Sequence, residues 1–258
     1  MTASRKPGFP ARLGGAPKPA ASPAAGARAA AGPAAVTQGL GMDSDAVRQR
    51  MVRRLAQAGI GRAEVLQSMG SVPRHLFVDT ALAAQAYEET SLPIGWGQTI
   101  SKPAVVARMV DLLLGAPGAQ AQGKLARVLE IGTGCGYQAA VLAQLVREVY
   151  TVERLRAMHE RARDRLRPLR LANVHLILGD GMLGYAPGAP YAGIIAAAGG
   201  EQLPDAWCEQ LAVGGRLVAP VAGAGGGQAL MVIDRTAQGF VQNVLEAVHF
   251  VPLKSGVA

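Results

Sequence analysis

Residues Val128 to Gln138 read VLEIGTGCGYQ. An apolar run carrying an acid, Glu130, meets glycines at alternate positions, Gly132, Gly134 and Gly136, and then a helix-compatible run from Tyr137 to Val146. Strand, tight glycine loop and helix is the geometry that cradles a nucleotide-like cofactor. Glycine lets the backbone turn sharply and approach a ligand with no Cβ in the way. Gly132, Thr133, Gly134 and Gly136 are therefore candidate cofactor contacts. The dinucleotide pattern wants a further glycine at 137, where this chain has Tyr137. A dinucleotide site also presents backbone N–H groups to a pyrophosphate, which a nearby carboxylate would repel. S-adenosyl-L-methionine has no phosphate and carries an ammonium and a sulfonium, so Glu130 suits that cofactor.

Two further acids fall at the ends of apolar runs. Glu153 closes the run from Glu148 to Val152, where an acid meets ribose hydroxyls. It supports a nucleoside without choosing between NAD and S-adenosyl-L-methionine. Asp180, followed by Gly181, closes the run Val174–Leu178 and is placed to accept a hydrogen bond from an adenine amino group. Alone, Gly-Asp-Gly reads as an ordinary turn; after two other strand-end acids it reads as part of a site.

Strand and helix alternate through this region: Arg127–Ile131, Tyr137–Val146, Glu148–Val152, Arg154–Arg167, Val174–Leu178, Tyr191–Ala197, Leu203–Leu211 and Arg216–Ala219. Alternation predicts a doubly wound α/β fold, Rossmann-like, its mostly parallel sheet covered by helices on both faces. Two closing β-rich runs, Ala229–Arg235 and Phe240–Val251, have no helix between them and predict an antiparallel edge. Before the alternation lies a helical extension. Asp43 or Ser44 caps a helix whose stripe is Val47, Met51, Leu55 and Ala58, and Gly59 and Gly61 stop it. A second short helix covers Arg62 to Met69, a Pro- and Gly-rich loop covers Leu92 to Pro103, and a helix covers Val105 to Leu114.

Residues 1–41 differ in kind. They are mostly Ala, Pro and Gly, with five basic residues and no acid. Such a segment has little to bury and is expected to be disordered, leaving one domain at 42–258. It holds no continuous apolar stretch of the kind a secretory signal needs. The tail also accounts for most of the formal net charge of +8. The remainder is mildly basic, with arginines concentrated between Glu153 and Arg170, a solvated helix face. With aromatics at only 4%, a stacking platform for nucleic acid is not expected. Two cysteines and four scattered histidines give no disulfide framework and no metal set. No apolar run is long enough to span a bilayer. A cytoplasmic monomer with no membrane and no stable nucleic-acid partner is the expectation.

VPRHLFVD (Val72–Asp79), LPIGWGQTIS (Leu92–Ser101), VLEIGTGCGYQ, YTVER (Tyr150–Arg154), GDGMLGY (Gly179–Tyr185) and VHFVPL (Val248–Leu253) together resemble the protein-L-isoaspartate O-methyltransferases. The likeness runs from about Met42 to the C-terminus. The glycine motif is shared with many methyltransferases, whereas QTIS and FVPL are specific to this family. The resemblance implies an enzyme that moves a methyl group from S-adenosyl-L-methionine to the α-carboxylate of L-isoaspartyl residues in aged proteins and peptides, releasing S-adenosyl-L-homocysteine. The ester then recloses to a succinimide, from which some normal aspartate returns. It implies that Ser101 orients the substrate carboxylate and that Gln98, Thr99 and Ile100 shape the pocket. It implies that main chain near His249 and Val251 pairs with an extended substrate.

Three segments depart from the family pattern. Tyr191-Ala192-Gly193-Ile194 lacks the usual acid after the aromatic, Ala197 to Glu201 lacks the usual prolines, and Cys135 stands where serine is common. A methyltransferase for a small molecule or RNA, and a non-catalytic paralogue, remain as alternatives; the QTIS and FVPL segments favour protein repair.

Overall fold

The computed structural model describes residues 45–118, 124–223 and 226–258. The expected tail at 1–41 and the expected cap at Asp43 or Ser44 lie outside the described residues.

Helix α1 (Asp45–Gln57) forms on the expected stripe: Met51 and Leu55 are fully buried and Val47 packs beside them. Ala58 is the exception, exposed just beyond the helix. Gly59 takes φ +94, its N–H bonds the Ala56 carbonyl at 3.1 Å, and the Ile60 N–H bonds the Leu55 carbonyl at 3.2 Å. That pair is a Schellman stop, and the buried Ile60 supplies its hydrophobic contact. Helix α2 (Ala63–Ser71) follows.

The region expected as a Pro- and Gly-rich loop forms a hairpin, β1 (Leu92–Gly95) and β2 (Gln98–Ile100). Gly95 pairs with Gln98, so Trp96 and Gly97 make the two-residue turn, with φ +50 and +69. Positive φ at both central positions marks a type I′ turn, whose usual sequence is Asn-Gly or Asp-Gly. Trp-Gly conceals it. Helix α3 (Pro103–Leu114) comes next, with proline in its first turn.

The alternation is present as β3 (Arg127–Ile131), α4 (Tyr137–Leu145), β4 (Glu148–Glu153), α5 (Arg156–Leu166), β5 (Val174–Leu178), β6 (Tyr191–Ala196), α6 (Asp205–Gln210), β7 (Leu211–Ala222), β8 (Gln228–Thr236) and β9 (Gly239–Val248). The seven strands lie in the order β5-β4-β3-β6-β7-β8-β9. Pairs from β5 to β7 are parallel; β7–β8 and β8–β9 are antiparallel, the expected edge. β7 starts earlier than expected, with an irregular register where Tyr191 pairs Leu211 and Gly193 pairs Arg216.

The two faces separate along each strand by alternation. Val128, Val149, Ile195 and Val218 join the larger core with α1, α2, α3, α4 and α5. Leu129, Ile131, Val152, Ile194, Ala196, Leu217 and Ala219 pack on Trp207 of α6 on the other face. Each buried Val, Leu or Ile among them contributes about 1.5–3 kcal/mol. The order in which the parallel strands are added reverses between β3 and β6, and their carboxyl ends form a switch point where ligands bind in open α/β sheets.

Candidate active site

A cavity of about 390 Å³ opens at those carboxyl ends, within the usual range for small-molecule sites. The glycine loop forms its floor. Gly132, Thr133 and Gly134 line it, with φ +89 at Gly132 and +55 at Gly134. The expected contact Gly136 does not line the cavity. A Cβ there would meet the Leu166 side chain at 3.0 Å, so this glycine lets α4 pack against α5.

Glu130 also lies elsewhere than its motif suggests. β3 continues through Ile131, and it is Ile131 that reaches the cavity. Glu130 shares the face of Val128, turned into the layer beneath α4, where it is fully buried. Its carboxylate accepts hydrogen bonds from Gln138 Nε2 at 3.0 Å and Thr151 Oγ1 at 2.5 Å. Thr151 in turn meets Thr133 Oγ1 at 2.6 Å. A buried polar chain thus braces the glycine loop from behind, and Glu130 supports the loop rather than facing a ligand.

Desolvation pushes the Glu130 carboxyl up to about 8. Because its folded value is raised, the associated stability is fully present below the ordinary carboxylate range and is lost as pH rises through about 8. Glu130→Gln keeps the shape, accepts from Gln138 and donates to Thr151. It is expected to melt at a nearly constant temperature from pH 6 to 9, while the parent weakens by about 2–4 kcal/mol. Thermal unfolding across that range checks this; parallel curves would show that Glu130 ionises there at no cost.

Glu153 is placed as expected, at the last position of β4 and on the cavity wall. One carboxylate oxygen accepts from the Gly134 N–H at 2.9 Å and the other from the Leu155 N–H at 3.0 Å. The acid ties the glycine loop to the strand end while keeping lone pairs for a ligand. Gly181 lines the cavity, but Asp180 does not. Its oxygens accept from the Met182 N–H at 2.9 Å and the Gly256 N–H at 2.6 Å. The chain end lies across this rim, where the Ala258 N–H donates to the Arg154 carbonyl at 2.9 Å. That crossing has no local sequence signal.

The hairpin forms the opposite wall: Gln98, Thr99, Ile100 and Ser101 all line the cavity. Arg161 of α5 donates to the Ile94 carbonyl at 2.8 Å and pairs with Asp79, so the hairpin is anchored to the nucleotide fold. Ser101 is not the N-cap of α3; that position is Lys102, which makes no side-chain cap bond. The Ala104 N–H is met by both oxygens of Glu89 at 3.2 Å, and no hydrogen bond of the Ser101 hydroxyl is present among the described residues. Glu89 takes over the capping, leaving that hydroxyl available to the cavity.

Val251 lines the cavity and His249 does not. Much of the nearby main chain is already paired. The Val251 carbonyl accepts from the Gly199 N–H at 2.9 Å, and the Phe250 N–H donates to Gln228 Oε1 at 2.6 Å. These bonds narrow the stretch an extended substrate could pair with. Sequence reasoning missed Trp96, Tyr137, Ala197 and Lys254 on the walls; of these only Trp96 and Tyr137 stood inside recognised motifs. Burial pushes the Cys135 thiol up, which disfavours the reactive thiolate. Among the described residues no cluster could hold a metal ion, and no helix is long and apolar enough to cross a membrane.

The profile of the family described as protein-L-isoaspartate(D-aspartate) O-methyltransferase matches residues 46–258. The chain belongs to this family. Among its relatives, a protein-L-isoaspartate O-methyltransferase of Methylibium petroleiphilum is 61% identical over 84% of this chain and 81% of its own. One of Leptothrix cholodnii is 58% identical over 87% and 79%. A solved protein-L-isoaspartate O-methyltransferase is 27% identical, with a TM-score of 0.72 over 81% of this chain and 66% of its own. A structure from Plasmodium falciparum, titled a putative member in complex with S-adenosyl-L-homocysteine, shares the fold at a TM-score of 0.69 and 22% identity, over 80% and 98%. Within the family fold, the departure at Ala192 falls near the amino end of β6, on a separate cavity with Pro190 and Gly214. Ala197 and Ala198 do line the site.

Proposed function

We propose that this chain methylates the α-carboxylate of L-isoaspartyl residues in damaged proteins, with S-adenosyl-L-methionine as methyl donor and S-adenosyl-L-homocysteine as product. The observation that carries the reading is the shared cavity, with the uncommitted Ser101 hydroxyl on one wall and the glycine loop and Glu153 on the other. Family membership supports it. The residues fit the donor: a loop without Cβ atoms at Gly132 and Gly134 allows close approach, and Glu153 offers acceptors to a ribose or an ammonium. When bound, S-adenosyl-L-methionine supplies a methyl group made electrophilic by its sulfonium.

The rest falls to the protein. The substrate carboxylate is already ionised at neutral pH, its reference pKa being near 4, so no general base is required. Ser101 donates a hydrogen bond to one carboxylate oxygen and aims the other at the methyl group. Ile94, Ile100, Val106 and Ile131 line the cavity and keep water from the reacting atoms. Alignment and desolvation are the main demands of in-line displacement. Gln98 and Thr99 shape the pocket mouth, and Val251 with the free main chain beside it meets the substrate backbone. We read the domain as 42–258, acting as a cytoplasmic monomer without a stable nucleic-acid partner.

A methylation assay with paired peptides that differ only in an isoaspartyl or aspartyl linkage tests the reading. Transfer to the isoaspartyl peptide alone is expected, and a chain beginning at Met42 should keep that turnover. Equal methylation of both peptides, or of neither, would overturn it.

A further inference from the structure

Arg74, in the segment VPRHLFVD, does not line the cavity. Its side chain is fully buried. Nε donates to the Ala86 carbonyl at 2.7 Å, and Nη2 donates to the Ser101 carbonyl at 2.6 Å. The guanidinium lies over the Tyr137 ring, 4.8 Å from its centroid. Nη1 is buried without a hydrogen-bond partner among the described residues. No ion pair is formed by Arg74 among them, and Glu89 exerts only a weak attraction on its charge. A buried cation with no counter-ion is costly. Two of the groups it touches, Ser101 and Tyr137, line the cavity.

We propose that Arg74 is a positioning residue for the methyl transfer, holding the Ser101 main chain so that the hydroxyl meets the substrate carboxylate, while its unpaired charge favours an anion in the cavity. The proposal rests on the reading of Ser101 given above. The planar guanidinium reaches two carbonyls at once in a fixed geometry, which a lysine ammonium on a flexible stem does not reproduce. Between charges in a water-poor interior, attraction is weakly screened, so the field of Arg74 reaches a substrate carboxylate without contact.

The test is a double-mutant cycle between Arg74 and Ser101 in the full chain, using Arg74→Lys, Arg74→Gln and Ser101→Ala. It reads single-turnover rate, peptide KM, affinity for S-adenosyl-L-homocysteine and melting temperature. Arg74→Lys should lower the single-turnover rate about tenfold with little change in homocysteine-compound affinity, and should add almost nothing once Ser101 is alanine. Peptide KM should rise in Arg74→Gln, where the charge is gone, more than in Arg74→Lys, where it is kept. If the Arg74→Lys and Ser101→Ala effects multiply, the positioning role is overturned while Ser101 keeps its own. An unchanged rate in Ser101→Ala alone overturns the Ser101 reading instead. If neither Arg74 variant folds and binds the homocysteine compound, the residue is structural and the proposal falls.

Discussion

Ser101→Ala is expected to lower the single-turnover methylation rate by roughly ten- to a hundredfold, since a hydrogen bond to an ionised carboxylate is worth about 1.5–3 kcal/mol. Affinity for S-adenosyl-L-homocysteine should stay unchanged, because the hairpin wall is separate from the glycine loop and Glu153. Melting temperature should also hold. Glu89 caps the α3 N-terminus, so losing the Ser101 hydroxyl removes no helix-terminal bond. Rapid-quench kinetics with an isoaspartyl peptide, beside a thermal melt, give both readings. A variant with unchanged chemistry and a lowered melting temperature would show that the hydroxyl is structural.

Glu153→Ala should act on the other half of the reaction. It removes the acceptor for two partly buried backbone donors, at Gly134 and Leu155, and the group placed to meet the donor ribose. Each lost charge-assisted bond costs about 1.5–3 kcal/mol. Cofactor affinity is therefore expected to fall by roughly ten- to a hundredfold, with the glycine loop loosened and some stability lost. Calorimetric titration of S-adenosyl-L-homocysteine measures this. Affinity within a few-fold of the parent would mean that Glu153 braces the loop and does not hold the nucleoside.

The contrast between Glu130 and Glu153 shows how far a sequence reaches. Glu130 is followed by one more apolar residue, Ile131, whereas Glu153 closes its run. β3 extends one residue past Glu130, and that single step turns its side chain into the helix layer. β4 ends on Glu153, whose side chain reaches the loop. In a strand, one residue of register decides which face a side chain meets. Asp180 shows a different gap: its partner Gly256 is 76 positions away, a separation no local pattern encodes.

Local chemistry was sufficient where an element draws on its own neighbours. Apolar periodicity placed the alternating strands and helices, glycines placed the loop before α4, and adjacent closing strands placed the antiparallel edge. QTIS and FVPL marked the family because short stretches of side chains carry the chemistry. Tertiary structure alone decided the rest. It folded Leu92 to Ile100 into a hairpin on a Trp-Gly turn, gave capping of the helix after Ser101 to the distant Glu89, and buried Arg74 against the Ser101 carbonyl. Each of these depends on contacts between segments distant in the chain. Their energies come from burial and from hydrogen bonds that form only once the sheet and its helices have packed.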